Sequence, residues 1–557
     1  MNTAELVVKA LEEEGVTYVF GVPGEEVQQL LFALDESSIE FIPTRHEQGA
    51  AFIANVWGRL TGRAGVCLST LGPGATNLVT GVADASLDKA PLVALTAQGT
   101  TTRLHHESHQ VIDVLQMMSA VTEWNGRIVG PAVAAEAVRS AFAIAEREKP
   151  SATHIELPEN IAQATVPEGV RPMPRRVAPA PVAAEDAIDA VAEQLAEAKR
   201  PLLVVGHGVI RAHASDKLSQ LAESFGLPVV TTLMAKGAID DRNSHSLFTV
   251  GLGFVDHVDT ALRQADLLVC IGYDVAELPP RRLQPGGRRK LVHIDSAPPA
   301  TYADYQPEAS ATGRIDATLS RLYSRLEERS LAAERNWWTQ ARDAIVDDHL
   351  RYTLPEESQA SHEASLTIPG ALHVIREALP DDGLLISDVG SHKMWIARNF
   401  PAHRPGTCII SNGMASMGIA IPGAIAASLV HRDRKIVACM GDGGALMNVQ
   451  ELETAARVGA KFVAIVFNDN DYGLISWKQR RERSNAVGTT IQNPDFPALA
   501  RAFGIRGVRA ETARDLTEHL RLAIDQPSRT LIEVPVDPSV NDALVARLQR
   551  RYGDTSE

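Results

Sequence analysis

Two hydrophobic periods alternate along the chain. Nine short runs are apolar at nearly every position: Ala64–Thr70, Pro91–Ala97, Pro201–Gly208, Ala265–Gly272, Lys290–Asp295, Leu384–Gly390, Lys435–Gly444, Lys461–Asp469 and Thr530–Asp537. Their length and apolar continuity predict strands buried on both faces. Between them, stretches such as Met447–Gly459 (MNVQELETAARVG) place apolar residues every three or four positions and predict amphipathic helices. Strand–helix–strand alternation of this kind predicts an α/β fold with parallel sheets covered by helices.

Two stretches break the alternation. Thr165–Asp186 is rich in proline and basic residues, and Arg351–Gly370 is polar and unpatterned, so both read as connectors. They divide the chain into three doubly wound domains, residues 1–170, 186–350 and 360–557. The first and last share a device: VCLSTLGPGATN and VACMGDGGALMN each run from a strand into a glycine-rich turn and reach Asn77 or Asn448. That is a weak hint of duplication.

Composition narrows the function classes. The chain has 557 residues and a formal net charge of −15, so nothing favours nucleic acid or an anionic membrane as partner. Its first residues, MNTAELVVKALEEEGV, are acidic and amphipathic, unlike a secretory signal. The most apolar later run, GIAIPGAIAASLV, is interrupted by glycine and proline. Cys67, Cys270, Cys408 and Cys439 form no CxxC pair and read as buried thiols of a cytoplasmic protein.

The segment Gly441–Asp471 carries the chemistry. KIVACM reads as a strand, Gly441-Asp442-Gly443-Gly444 as the turn at its carboxyl end, and a helix is expected from about Asn448, a good cap residue. FVAIVF is the next strand, with Asn468-Asp469-Asn470-Asp471 leaving it. A right-handed crossover opens both loops on one sheet edge, so Asp442 and Asp469 are expected within a few ångströms of each other. Paired carboxylates suit Mg²⁺ with phosphate ligands, and glycines let a phosphate approach the backbone near a helix start. No GK[ST] follows, which excludes a Walker A loop, and GHGVIR at Gly206–Arg211 lacks the third glycine of a dinucleotide fingerprint. His105, His106 and His109 lie close in sequence without a zinc-site context.

The GDG–helix–strand–Asn/Asp pattern resembles the thiamine diphosphate signature. VFGVPGEE (Val19–Glu26), TRHEQGAAFIANVWGRLTGRAGVCLSTLGPGATNLVTGVADA (Thr44–Ala85), SDVGSHKMWIARNF (Ser387–Phe400) and ISNGMASMGIAIPGAIAASL (Ile410–Leu429) resemble the acetolactate synthase branch over nearly the whole chain. The resemblance implies the pyruvate decarboxylase-like arrangement: an N-terminal pyrimidine-binding domain, a central domain and a C-terminal diphosphate-binding domain. It implies thiamine diphosphate and Mg²⁺ as cofactors and 2-oxo acids as substrates. It also implies a homodimer or homotetramer with the active site at the subunit interface.

Residue roles follow from the same resemblance. Glu47 matches the glutamate beside N1′ of the aminopyrimidine, and His109-Gln110 match a pair near the substrate. Asp442 and Asp469 match the side-chain metal ligands, with Asp471 at the third position, where a backbone carbonyl is common; many relatives have Asn in place of Asp469. Ser391, His392, Gly443, Gly444 and Ala445 match diphosphate contacts, Met417 the residue that bends the cofactor, and Ala415 the backbone meeting the aminopyrimidine. Pro23, Asn77, Gly413, Gly441, Tyr472 and Gly473 complete the implied cofactor set. IGYDVAELPP (Ile271–Pro280) stands where the biosynthetic branch has an FAD-associated RFDDR-like stretch, which implies no FAD. The expected reaction joins two pyruvates into 2-acetolactate with loss of CO₂. Met118 and Glu123, where phenylalanine and lysine are usual, leave open another 2-oxo acid or acyl donor.

Overall fold

The computed structural model describes residues 1–177, 179–251, 254–283, 289–353, 366–526 and 529–552; most of the second connector and the final residues 553–557 lie outside them. Eighteen strands form three six-stranded sheets among these residues. The first sheet holds β1 (Tyr18–Gly21), β2 (Glu40–Pro43), β3 (Gly65–Ser69), β4 (Leu92–Gln98), β5 (Trp124–Arg127) and β6 (Ala152–Pro158). The second holds β7 (Pro201–Val205), β8 (Val229–Thr231), β9 (Ser246–Thr249), β10 (Leu267–Ile271), β11 (Lys290–Asp295) and β12 (Ala309–Thr312). The third holds β13 (Leu384–Ser387), β14 (Cys408–Ile410), β15 (Ile436–Gly441), β16 (Val463–Asn468), β17 (Arg506–Arg509) and β18 (Thr530–Pro535).

Every strand pairing is parallel. The orders are β2-β1-β3-β4-β6-β5, β12-β11-β10-β7-β8-β9 and β14-β13-β15-β16-β18-β17. Counting β13 as a first strand, the third sheet repeats the order of the first, while the middle sheet runs differently. The turns singled out for their similarity thus follow the third strand of like sheets. Both sheets reverse direction between their first and third strands, the place where open α/β sheets hold ligands.

The chain forms two compact units. One comprises Met1–Ala178, Gly413–Asp433 and Ala445–Lys461; the other comprises Pro179–Asn412, Arg434–Gly444 and Phe462–Glu557. Two stretches within residues 360–557 therefore pack with the first unit. The helix Ala420–Val430 shows why: it is buried on every side from Ala420 to Ser428, having no polar face to turn to water, and it packs on the helix Glu47–Thr61.

The expected helix start is corrected. Gly441 ends β15, and a helix begins at once, Asp442–Met447, followed by a second, Glu451–Arg457. Asp442 Oδ1 accepts the Gly443 N–H at 2.8 Å, engaging an amide at that helix start. Asn448 caps nothing: it is buried, and its Nδ2 donates to the Gly418 carbonyl at 2.9 Å.

Candidate active site

In the second unit, the carboxyl ends of β13, β15 and β16 collect most of the residues expected to meet metal and diphosphate. Asp388 follows β13 and Asp442 follows β15, the strands that flank the reversal. Asp442 is buried; its Oδ2 accepts the Asn470 N–H at 2.8 Å and Asn493 Nδ2 at 2.7 Å. Burial raises its pKa despite these hydrogen bonds. Asp469, at the end of β16, is pushed up to about 7, first by burial and then by the Asp442 charge. The Asn470 N–H that Asp442 accepts belongs to the residue after Asp469, so the loops leaving β15 and β16 meet at this edge.

Asp471 behaves differently. Its Oδ2 turns toward Arg480 Nη1 at 3.8 Å, while its Oδ1 is buried without a hydrogen-bond partner. Tyr472 donates its N–H to the Thr489 carbonyl and caps the helix Gly473–Arg483. Gly473 is required there, because a Cβ would lie 2.5 Å from Asp469 Oδ2.

Ser391 and His392 begin the buried helix Ser391–Asn399 after β13. The His392 ring stacks at a tilt near Phe467, and its Nε2 is buried without a partner. Burial lowers its pKa to about 3, so the ring is neutral. Gly441 lies beside this ring, and a Cβ on Gly444 would approach Asp388 Oδ1 to 2.9 Å. Gly443 is buried at the same helix start. Clustered carboxylates raised toward neutrality, an unused imidazole nitrogen and a helix start without bulk fit a metal-bridged diphosphate.

In the first unit, the equivalent edge lies between β1 and β3. Pro23 is exposed beyond β1, and Gly24 packs against Thr70 beyond β3. Glu47 opens its helix and is buried, 8% exposed, so it is no solvated helix-start carboxylate. Asn77 Nδ2 donates to Glu47 Oε2 at 2.9 Å. Gln110 sits at positive φ (57°) with its carbonyl against Gly72, where a Cβ would come within 2.6 Å. His109 and Gln110 are exposed, as are His105 and His106. Gly413, Ala415 and Met417 are half-buried, and Ala445 is buried.

Sequence reasoning missed several partners. Asn493 bridges Asp442, Asn468 and Asn470, yet an isolated Asn before Pro494 carries only a turn signal. Glu451 is buried and accepts the Arg45 and His46 N–H groups just before Glu47, His46 at 3.0 Å. Met118 is fully buried, and Glu123 pairs with Arg147 at the surface.

Comparisons with known proteins agree with this geometry. The N-terminal thiamine pyrophosphate binding domain profile matches residues 1–117, the central domain of these enzymes residues 188–322, and the C-terminal binding domain residues 388–534. The chain is 35% identical to the catabolic acetolactate synthase of Raoultella terrigena, over 98% of this chain and 97% of that one. It is 33% identical to the acetolactate synthase of Bacillus subtilis strain 168, over 99% and 96%. With acetolactate synthase isozyme 1 large subunit of Escherichia coli K12 the identity is 31%, over 96% and 94%. The chain belongs to the thiamine pyrophosphate-dependent acetolactate synthase family.

Proposed function

We propose that the chain is a thiamine diphosphate- and Mg²⁺-dependent carboligase that decarboxylates pyruvate and joins the remaining two carbons to a second pyruvate, giving 2-acetolactate and CO₂. The observation that carries this reading is the carboxylate pair of Asp442 and Asp469 at the ends of the adjacent strands β15 and β16, beside the reversal of the third sheet. When bound, the cofactor supplies a carbon nucleophile and then accommodates the electron pair left by CO₂. Asp442 and Asp469 would hold Mg²⁺ through side chains and Asp471 through its main chain. Ser391, His392, Gly443, Gly444 and Ala445 would receive the diphosphate, with Gly441, Tyr472 and Gly473 giving it room. Glu47, oriented by Asn77, would share a proton with N1′ of the aminopyrimidine, against which Pro23, the Gly413–Ala415 backbone and Met417 would pack. Gln110 would donate to the 2-oxo acid, with His109 beside it.

The reading includes no flavin, because Ile271–Pro280 lacks the RFDDR-like stretch. At the middle sheet's reversal between β7 and β10, the buried Glu277 carboxylate accepts the His207 N–H at 3.1 Å and the Thr232 hydroxyl, which supports this reading. The purified protein would therefore carry no flavin absorbance. The exposed apolar side chains Leu87, Met414, Leu446 and Met447 on the first unit support a dimer or tetramer. Among the described residues no helix is long and apolar enough to cross a membrane, and all four cysteines are buried, in keeping with a cytoplasmic location.

Product analysis with pyruvate, Mg²⁺ and thiamine diphosphate tests the reading. Acetolactate from the wild type, and at least ~100-fold less from Glu47→Gln, is expected. A cofactor-loaded wild type that makes no acetolactate would overturn it.

A further inference from the structure

We propose that Asp84 and Asp88 are positioning residues for the cofactor: they clamp the Gly413–Gly418 loop and tie it to the helix that begins with Glu47. The inference rests on the reading above, in which Gly413 and Ala415 face the aminopyrimidine.

Both carboxylates belong to the helix Pro73–Leu87, Asp84 in its last turn and Asp88 as its C-cap, and both are fully buried. Each divides its two oxygens between the neighbouring helix and the loop. Asp88 Oδ2 accepts Arg59 Nη1 at 3.1 Å, while its Oδ1 accepts the Gly413 N–H at 2.6 Å. Asp84 Oδ2 accepts Asn55 Nδ2 at 2.8 Å, while its Oδ1 faces the Ser416 N–H at 3.4 Å. Asn55 and Arg59 lie one turn apart on the helix Glu47–Thr61, so the Glu47–Asn77, Asn55–Asp84 and Arg59–Asp88 contacts form three polar rungs between the same two helices.

The loop needs such anchors. Ala415 has φ of 55°, a left-handed conformation costly for a residue with a Cβ. A Cβ at Gly413 would fall 2.7 Å from the Leu87 carbonyl, so this backbone is pressed directly onto the helix end. Asn448 holds the far end through the Gly418 carbonyl. An ordinary helix–helix polar contact would leave the second carboxylate oxygen to solvent or to the same helix; here both second oxygens point to loop amides. Any shift of the Glu47 helix is thereby passed to the loop.

The test uses the full chain in three variants. Asp84→Ala removes one anchor; Arg59→Met/Asp88→Leu removes the other together with its ion-pair partner; Val82→Ala opens a cavity on the same helix without touching the loop. Hydrogen exchange of the cofactor-free protein is read at the Gly413 and Ser416 amides, and thiamine diphosphate affinity by calorimetry with Mg²⁺. Each anchor variant is expected to exchange the matching amide at least ~10-fold faster and to bind about tenfold more weakly, as for loss of a hydrogen bond to a charged group. Asp84→Asn, which keeps an acceptor for Ser416, is expected to restore most of the affinity, and Val82→Ala to lower stability alone. Unchanged exchange in Asp84→Ala overturns the clamp even if the double variant fails to fold. Faster exchange with wild-type affinity overturns the positioning role. A wild type that binds no thiamine diphosphate overturns the functional reading, and the positioning role with it, while the exchange result still decides the clamp.

Discussion

At the scale of single residues, the third-sheet site is poised against itself. Asp442 and Asp469 are forced together by β15 and β16, and burial adds to their repulsion. Asn at position 469 would keep an oxygen toward the proposed Mg²⁺ while dropping one charge. In EDTA, Asp469→Asn is expected to be more stable than the wild type by on the order of 1–2 kcal/mol after solvent screening, a melting rise of roughly 2–4 °C. With saturating Mg²⁺ and thiamine diphosphate the order should narrow or invert, because the cation then offsets the charge that the variant lacks. Equal melting temperatures of the two proteins in EDTA would refute the electrostatic reading.

At the scale of elements, the helix Ser391–Asn399 shows how its two ends differ in purpose. Ser391 and His392 face the proposed diphosphate, whereas Arg398 in the last turn anchors the helix. Its guanidinium forks onto Asp256, Nε to Oδ2 at 2.6 Å and Nη2 to Oδ1 at 3.1 Å, and also bonds Asp348. Asp256, His257 and Asp348 are the one three-residue cluster of metal-ligand type among the described residues, but Arg398 already fills the cation's role there. Arg398→Met should cost about 3–5 kcal/mol in urea unfolding, since it strands the buried Asp256 carboxylate, while Asp348 keeps Arg547. Arg398→Lys should recover only part of this, lacking the fork. EDTA should leave the midpoint at this cluster unmoved. Elements also show what the sequence could disclose. The nine continuous apolar runs all became strands, because burial on both faces writes itself into consecutive residues. The seven-residue strand β6 escaped notice although it is wholly buried: His154 and Glu156 break its apolar pattern, and they are satisfied only in the folded sheet, by Thr96, Gln98 and Arg127. The short edge strands β2, β5, β9, β12, β14 and β17 are too brief to show a period. The same division holds for the site. Asp442 and Asp469 were legible because one crossover joins them, whereas Glu451, Asp84, Asp88 and Asn493 act across long sequence separations on partners that only the tertiary structure supplies.

At the scale of the whole molecule, sheets covered on both faces force titratable groups into the interior, and histidines record the consequence. His154, in the first sheet, is fully buried; its Nε2 meets Thr96 Oγ1 at 2.8 Å, its Nδ1 has no partner, and burial lowers its pKa to about 3. In the unfolded chain the same ring titrates near 6.5. Between these values the unfolded state binds the additional proton, so the contribution of neutral His154 is fully present above about pH 6.5 and is lost as pH falls toward 3. The loss is about 1.4 kcal/mol per pH unit, hence about 2 kcal/mol by pH 5. His392, also near 3, adds a second proton of the same sign in the third sheet. Comparison with His154→Gln isolates the first: the variant loses the pH-independent packing of the ring, but other ionisable groups cancel in the difference. Urea midpoints between pH 7.5 and 5 should therefore fall more steeply for the wild type than for His154→Gln. Parallel slopes would mean that His154 takes up its proton in the folded protein, and that the interior of the first sheet is more open to water than its packing indicates.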